Sequence, residues 1–510
     1  MERELKFELA SDQASAIRQL TLLRNMQVEP PHEERLESEY FDTPDLLLRH
    51  SDASLRIRRI GDRYIQTLKS SGERRGGFYE REEYETALPD AQPDLDALLA
   101  IVPKSSPLAQ LLKEPSLASQ LTPVFRTTVS RMVWQLKPSG GDEIELALDT
   151  GSITAAEHDE VFTELELELK RGEPRHLGKV ALDLIERVPL SLSLRSKSDR
   201  GYDLLVCEKQ SAVTAKRIAL TKKDTVNDAF CKIVQNCLAQ VHANAPYVAA
   251  GQSPESVHQM RVGLRRLRSA LAMFASVVDL PAALQGELKW IADELGKSRD
   301  WEVLAHSTLP QVRATEQQQE DMKRTILAAA HIARARREDA ARAVSSPRYA
   351  RLTLALDDWI AAAPWREAAA PEERKQLDRR AHGLAASVLR KRHRKLVQRG
   401  EGLHKLDAPH RHRARIAAKK LRYATEFFAT LFERKTLKQY RSVLARLQDD
   451  LGWGNDMAMA DKLLDHLQRH HSKAASGASY ARGFLAARVA DDRHNQKRLW
   501  KQFRRAARPH

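Results

Sequence analysis

Hydrophobic periodicity changes once along this chain, and the change divides it. Up to about residue 200, apolar and polar residues alternate in short runs. These are "SLRIRRI" (54–60), "RYIQTLK" (63–69), "GFYEREEYE" (77–85), "FRTTVSRMVWQLK" (125–137), "DEIELALD" (142–149) and "VFTELELELK" (161–170). Period two marks a strand with one buried face. Turn residues separate the runs: "DTPD" (42–45), "SSGERRGG" (70–77), "PSGGD" (138–142) and "DTGS" (149–152). Helical spacing interrupts near 12–26, 93–113 and 174–188. From about residue 224, long Ala-, Leu- and Arg-rich segments take over. The first part predicts an α+β domain of antiparallel strands, built as a closed or nearly closed barrel, and the second an all-α bundle.

Charge divides at the same place. Net charge is +15 over 510 residues, but −9 over residues 1–200 and +24 over 201–510. An acidic module can hold cations and a basic one a polyanion, of which nucleic acid is only one kind. A run of about 18 apolar residues, which a spanning helix needs, is missing, and no membrane partner is expected. The N-terminus is charged from its second residue, unlike a signal peptide. Cys207, Cys231 and Cys237 form no CxxC pair, which suits a reducing, cytoplasmic compartment.

The strand faces carry the functional signal. In "MERELKFELA", Glu2, Glu4, Lys6 and Glu8 alternate with Leu5, Phe7 and Leu9. In 161–170, Glu164, Glu166 and Glu168 alternate with Leu165, Leu167 and Leu169. Arg56 and Arg58 share a face, as do Arg81, Glu83 and Glu85, and Glu145 and Asp149. A solvated outer face explains any one of these strands. Together, rows of like charge repel unless a cation sits among the glutamates and an anion among the arginines. A barrel lined by both fits a metal-bound polyanion, because Mg²⁺ takes one or two carboxylates and fills its shell with water and phosphate oxygens. No GxxxxGK[ST] motif occurs, so a P-loop NTPase is not expected.

"ERELK" opens the chain as ExExK, followed in order by "YFDTPD" (40–45), "LRIRR" (55–59), "TLK" (67–69), "YERE" (79–82) and "ELELELK" (164–170). This series resembles the CYTH domain, the fold of the triphosphate tunnel metalloenzymes. The resemblance covers about residues 1–203. It implies an eight-stranded antiparallel β-tunnel that hydrolyses triphosphates, or in one branch cyclises ATP, with Mg²⁺ or Mn²⁺. It also implies metal ligation by Glu2, Glu4, Glu166 and Glu168, with Glu164 a further candidate. Lys6, Arg56, Arg58, Lys69, Arg81 and Arg126 would grip phosphates, and Lys197 in "SLRSKSDRGY" would close the far end. Asp149 and Glu145 are weaker candidates.

The basic part repeats internally. "HQMRVGLRRLR" (258–268) matches "HRARIAAKKLR" (412–422), an offset of 154, and "DELGKSRD" (293–300) matches "DDLGWGND" (449–456), an offset of 156. On a helix, Val257, Met260, Leu264, Leu267, Leu271 and Phe274 form an apolar stripe. His258, Arg261, Arg265 and Arg268 run beside it. A solvated face usually mixes signs; this one is wholly basic and recurs as His412, Arg415, Lys419 and Arg422. HxxR(V/I)xxx(R/K)(R/K)LR in duplicate resembles the CHAD domain, over about residues 220–465. The resemblance implies a helical domain binding inorganic polyphosphate through those eight residues. Arginine neighbours disfavour reading the histidines as metal ligands. "RKRHRK" (390–395) reads as the solvated part of a helix, and 466–510 as a basic tail with one helix.

The expected organisation is a tunnel domain over 1–203, a linker over 204–223 and a helical domain over 224–465. The helical repeats fall at about 224–310 and 378–465, before the tail at 466–510. The expected activity is metal-dependent hydrolysis of inorganic triphosphate or short polyphosphate, with polyphosphate bound by the helical domain and association with polyphosphate granules. The rivals are an adenylate cyclase, a thiamine or nucleoside triphosphatase, and a polyphosphate-targeting protein with weak turnover. A nucleic-acid binder is a further rival. Oligomeric state is open.

Overall fold

The computed structural model describes all residues except 1, 71–72, 76–77, 139–140, 207–211, 492 and 507–510; the side chains of 2, 73–75, 79–80, 408, 455 and 489–495 are also outside the description. The chain divides into two units, one of residues 1–211 with 344–362, the other of 212–343 with 363–510.

The first unit is built on one antiparallel sheet. Its strands are β1 (Glu2–Glu8), β2 (His32–Asp42), β3 (Ala53–Ile60), β4 (Arg63–Ser70), β5 (Glu73–Arg75), β6 (Phe78–Arg81), β7 (Glu83–Leu88), β8 (Thr122–Leu136), β9 (Glu143–Ala155), β10 (His158–Arg171) and β11 (Ser191–Leu192). They run in the order β5-β6-β1-β10-β9-β8-β2-β3-β4-β7, with β11 on β1. The expected antiparallel tunnel is there, but among the described residues it is built of eleven strands rather than eight, and their pairing does not close into a ring. Glu82 alone separates β6 from β7, yet β6 pairs with β1 and β7 with β4. The stretch 78–88 thus joins the two ends of the strand order, and the chain, rather than a continuous ladder, links them.

The hydrophobic core lies outside the strand wall. Leu5 and Phe7 of β1, Ile144, Leu146 and Leu148 of β9, and Leu165 and Leu167 of β10 bury under Ile17, Leu23 and the helix Pro174–Ile185. Period two then forces the opposite, charged face of the same strands inward. Helix Pro347–Ala362 joins this core through Ala350 and Leu354, and Ser191 Oγ donates to the Ser345 carbonyl at 2.6 Å. That helix comes from sequence between the two repeats; its composition resembles theirs, so nothing in its pattern announced a place under the sheet.

The second unit is helical. Val226–Ala249, Pro254–Phe274 and Ala282–Val303 form the first set, and Ala381–Arg399, Ala408–Phe427 and Arg434–His470 the second. Thr225 and Asp228 form a capping box, and Ser253 caps the helix that Pro254 opens. Arg266, 1% exposed, ties three helices by donating to Glu426, Gln240 and Asn236. Ile218 and Leu220 of the expected linker are buried in this unit, and Leu220 N donates to Thr430 Oγ1. The described residues after 465 continue the bundle: helix Arg434–His470 runs on past residue 465, and Ala475–Asp491 and Arg493–Arg505 pack back on it. Among the described residues, no helix is long and apolar enough to cross a membrane.

Candidate functional site

Register sets the tunnel's inner face in rows. Glu4, Glu168 and Glu145 are cross-strand neighbours on β1, β10 and β9. The next row is Lys6, Glu166 and Ala147, and the one after is Glu8, Glu164, Asp149 and Arg131 of β8. These rows form a dense lattice of opposite charges. Lys6 Nζ donates to Glu166 Oε1 at 2.5 Å and lies 3.1 Å from Glu4 Oε2. Arg81 donates to Glu4. Arg131 forks onto Asp149 at 2.8 and 2.7 Å and reaches Glu166 at 2.6 Å.

Lys197 enters from the first turn of helix Lys197–Leu205, which a Ser196–Asp199 capping box fixes. Its Nζ lies 2.9 Å from Asp149, 2.7 Å from Glu164 and 2.8 Å from Glu166. Burial pulls the Lys6 and Lys197 ammonium groups down, but the surrounding carboxylates outweigh it and raise both above the ordinary lysine value. Burial likewise pushes Glu166 up, and Lys197, Lys6 and Arg131 overcome that to hold it well below the usual carboxylate range.

The facing wall is different. Lys69 of β4 pairs with Glu83 at 2.6 Å, while Arg56 of β3 stands 3.8 Å from Glu83 and 3.9 Å from Glu85. Arg56 Nε and Arg58 Nε are buried without a hydrogen-bond partner. Burial, then the charges of Arg56 and Arg131, push the Arg58 guanidinium down to about 10. Glu83, Glu85 and Tyr40 already act on Arg56, so what is left open on this wall is the Nε–H of each arginine, a donor that an anion in the cavity would satisfy. Both walls line one cavity of about 430 Å³, with eight lysines and arginines against six glutamates.

In the helical unit two ion pairs mirror the repeat: Arg261 with Asp300 and Arg415 with Asp456, each at 3.7 Å. Arg265 Nε donates to Tyr423 OH at 2.5 Å. Burial, then Arg265, Arg415 and Arg261, push Lys419 down to about 7. Burial, then Arg299, lowers His258, whose Nδ1 is buried without a partner. Helices 254–274 and 408–427 thus bring Arg261, Arg265, Arg415 and Lys419 into one basic cluster.

A CYTH domain family matches residues 1–202, and a CHAD domain family matches residues 232–465. The chain is a CYTH domain followed by a CHAD domain. An inorganic triphosphatase of Haemophilus influenzae is 34% identical over 171 residues, 33% of this chain. That stretch spans 45% of the relative's length, less than half of it. The crystal structure of the CHAD domain from the plant Ricinus communis is 36% identical, with a TM-score of 0.54, covering 59% of this chain and 99% of that one. A putative adenylyl cyclase from Hippeastrum, described as having a dominant triphosphatase activity, is 21% identical at a TM-score of 0.30 and covers 40% of this chain and 97% of that one.

Within the CYTH domain, ten candidate residues named from sequence line one cavity: Glu4, Lys6, Arg56, Arg58, Lys69, Arg81, Glu145, Glu166, Glu168 and Lys197. Glu2 pairs in register with Arg81, but its side chain is outside the described residues. Two placements differ from expectation. Arg126 is exposed on the outer face, because it is out of phase along β8 with Arg131, which takes the inward place. Glu164 is fully buried behind the lining, held by Lys197, Arg200 and Ser193. It has no open side for a metal.

Sequence reasoning missed Arg131, whose only signal is its register opposite Asp149. In the CHAD domain Arg268 and His412 are exposed and Arg422 is half-buried, whereas Asp300 and Asp456, the matched last residues of the second repeated motif, join the cluster without having been named as site residues.

Proposed function

We propose that the CYTH tunnel hydrolyses inorganic triphosphate or short polyphosphate with a divalent cation, and that the CHAD cluster binds longer polyphosphate. The observation that carries the first half is the buried, unpartnered Nε of Arg56 and of Arg58 beside a carboxylate row in one cavity. A triphosphate supplies acceptors for these two Nε–H groups.

The donor set suits a hard cation in part. Glu4, Glu168 and Glu145 offer only oxygen and share a row facing the cavity. Among the described residues, however, no three ligands already converge, since Arg81 and Lys6 hold Glu4, and Lys170 lies 2.7 Å from Glu168 and 3.5 Å from Glu145. Mg²⁺ or Mn²⁺ held there would neutralise phosphate oxygens and lower the pKa of water.

The chain's own residues supply position and charge. Arg56, Arg58 and Lys69 hold one end of the phosphate chain and Lys6, Arg81 and Lys197 the other. Little covalent work is asked of the protein: water adds to the terminal phosphorus, the P–O–P bond breaks, and diphosphate and phosphate leave. Preorganised cations stabilise the charge on the departing oxygen. The cluster of Arg261, Arg265, Arg415 and Lys419 supports the second half, because it holds more positive charge than Asp300 and Asp456 offset. The test is phosphate release by the full chain from inorganic triphosphate, ATP, thiamine triphosphate and long polyphosphate in parallel. Triphosphate should be fastest; faster turnover of ATP or thiamine triphosphate would overturn the substrate.

A further inference from the structure

Neither site uses the "RKRHRK" run or the C-terminal helix. Helix 381–399 has six lysines and arginines in 19 residues and no Asp or Glu; helix 493–505 has six in 13 and again no acid. The two helices pack together. Leu499, Trp500 and Phe503 are buried. The Phe503 ring lies 5.3 Å from His393. Gly400, at the end of helix 381–399, faces the Trp500 ring so closely that a Cβ there would stand 2.3 Å from it. With the apolar sides used, Lys391, Arg394, Lys395, Lys497, Lys501 and Arg504 remain exposed.

This surface adjoins the helix that carries Lys419. Lys420, the residue after Lys419, feels Arg392, Lys395 and Arg399, which add to burial in lowering its pKa. Arg392 donates to the Lys420 carbonyl at 2.5 Å. Solvated helix faces mix signs because like charges repel; a wholly basic one is a footprint for a polyanion. The helix 493–505 lies past the end of the CHAD family match. Its aromatic rings point inward, so the face offers no stacking platform of the kind that single-stranded nucleic acid uses.

We propose that Lys420 and the exposed sides of helices 381–399 and 493–505 form a second docking surface for long inorganic polyphosphate, continuing the path of a chain held at the Arg261–Lys419 cluster. This rests on the polyphosphate reading of that cluster. A chain long enough to leave the cluster gains the outer contacts as an intramolecular step and releases more counterions. A short chain stays in the cluster and gains neither.

The test uses the full chain with Lys391, Arg394, Lys395, Lys497, Lys501 and Arg504 replaced by Ala, and a parallel set replaced by Gln in case the first loses helix content. Calorimetry at two salt concentrations compares long polyphosphate, short polyphosphate and duplex DNA. Long-chain affinity should fall about tenfold or more with a shallower salt dependence, and short-chain affinity should hold. Unchanged long-chain binding, or an equal fall for both lengths, overturns the outer surface. So does native binding of duplex DNA at least as tight as that of polyphosphate, lost in the variants. If native protein binds no polyphosphate at all, the underlying CHAD reading fails as well. If the outer variants bind normally while cluster variants do not, only the outer surface fails.

Discussion

Lys6 and Lys197 in the CYTH tunnel are pushed above the ordinary lysine value, whereas Lys419 in the CHAD cluster is pushed down to about 7. Burial lowers all three. Around Lys6 and Lys197 the tunnel overcomes it with carboxylates in register, so these two cations stay charged and fixed among Glu4, Asp149, Glu164 and Glu166. The cluster meets burial with further arginines, and its two aspartates at 3.7 Å compensate weakly. One region is preorganised by its own counter-charges, as suits stabilising charge that develops during a reaction. The other stores unrelieved repulsion that only an arriving anion can release, as suits a binding site.

The largest expected effect breaks the comparison at the cluster. Replacing Arg261, Arg265, Arg415 and Lys419 together with Ala should abolish retention of long polyphosphate, measured by electrophoretic retardation. Triphosphate hydrolysis should persist, because none of the four lines the tunnel. Loss of hydrolysis in that variant would show that the two regions do not work separately.

The second effect concerns helix 347–362. Leu354, 1% exposed in the CYTH core, should cost about 2–4 kcal/mol when truncated to Ala. Thermal unfolding followed beside phosphate release should show the CYTH transition weakened while polyphosphate binding holds. An unchanged transition would remove this helix from the CYTH core.

Arg58→Ala is expected to act next. One charge-assisted phosphate contact is worth about 1.5–3 kcal/mol, roughly ten- to a hundredfold in kcat/KM. Because burial and the charges of Arg56 and Arg131 disfavour the Arg58 cation in the free protein, removing it should cost little stability. A destabilised variant would show that Arg58 is structural.

The smallest effect is on pH. Lys419 has its folded value near 7 against an ordinary 10.5, so the unfolded chain holds more protons between those values. Stability of the free CHAD domain should therefore rise as pH climbs through that interval. Polyphosphate affinity should fall a few-fold between about pH 6 and about pH 8, as Lys419 loses its proton beside Arg261, Arg265 and Arg415. Lys419→Arg should flatten the profile. An unchanged slope in that variant would assign the titration elsewhere.

These differences track what the sequence could show. Alternation in 2–8 and 161–170 made the charged faces legible, and the apolar partners fixed which way they point. Along β8 both phases carry an arginine, Arg126 and Arg131, and only pairing with Asp149 selects the inward one. Glu164 obeyed the alternation but sits where helix 197–205 covers the face, a tertiary fact. The repeat was legible to the residue, yet Lys420 is exposed where its mate Arg266 is buried, because Glu426, Gln240 and Asn236 meet only the latter. Helix 347–362 was illegible for the same reason: its pattern says helix and leaves its partner unstated.

The central claim is that carboxylates of the tunnel's inner face support a metal-dependent hydrolysis. Phosphate release from inorganic triphosphate, measured for the full chain and for Glu4→Gln with and without added Mg²⁺ and after chelation, tests it most directly. Gln keeps the volume of Glu4 and removes its charge. Native turnover should fall to background on chelation and return with Mg²⁺, and Glu4→Gln should lose about 100-fold or more at every metal concentration. Near-normal release by Glu4→Gln, or native release indifferent to chelation, would contradict the account.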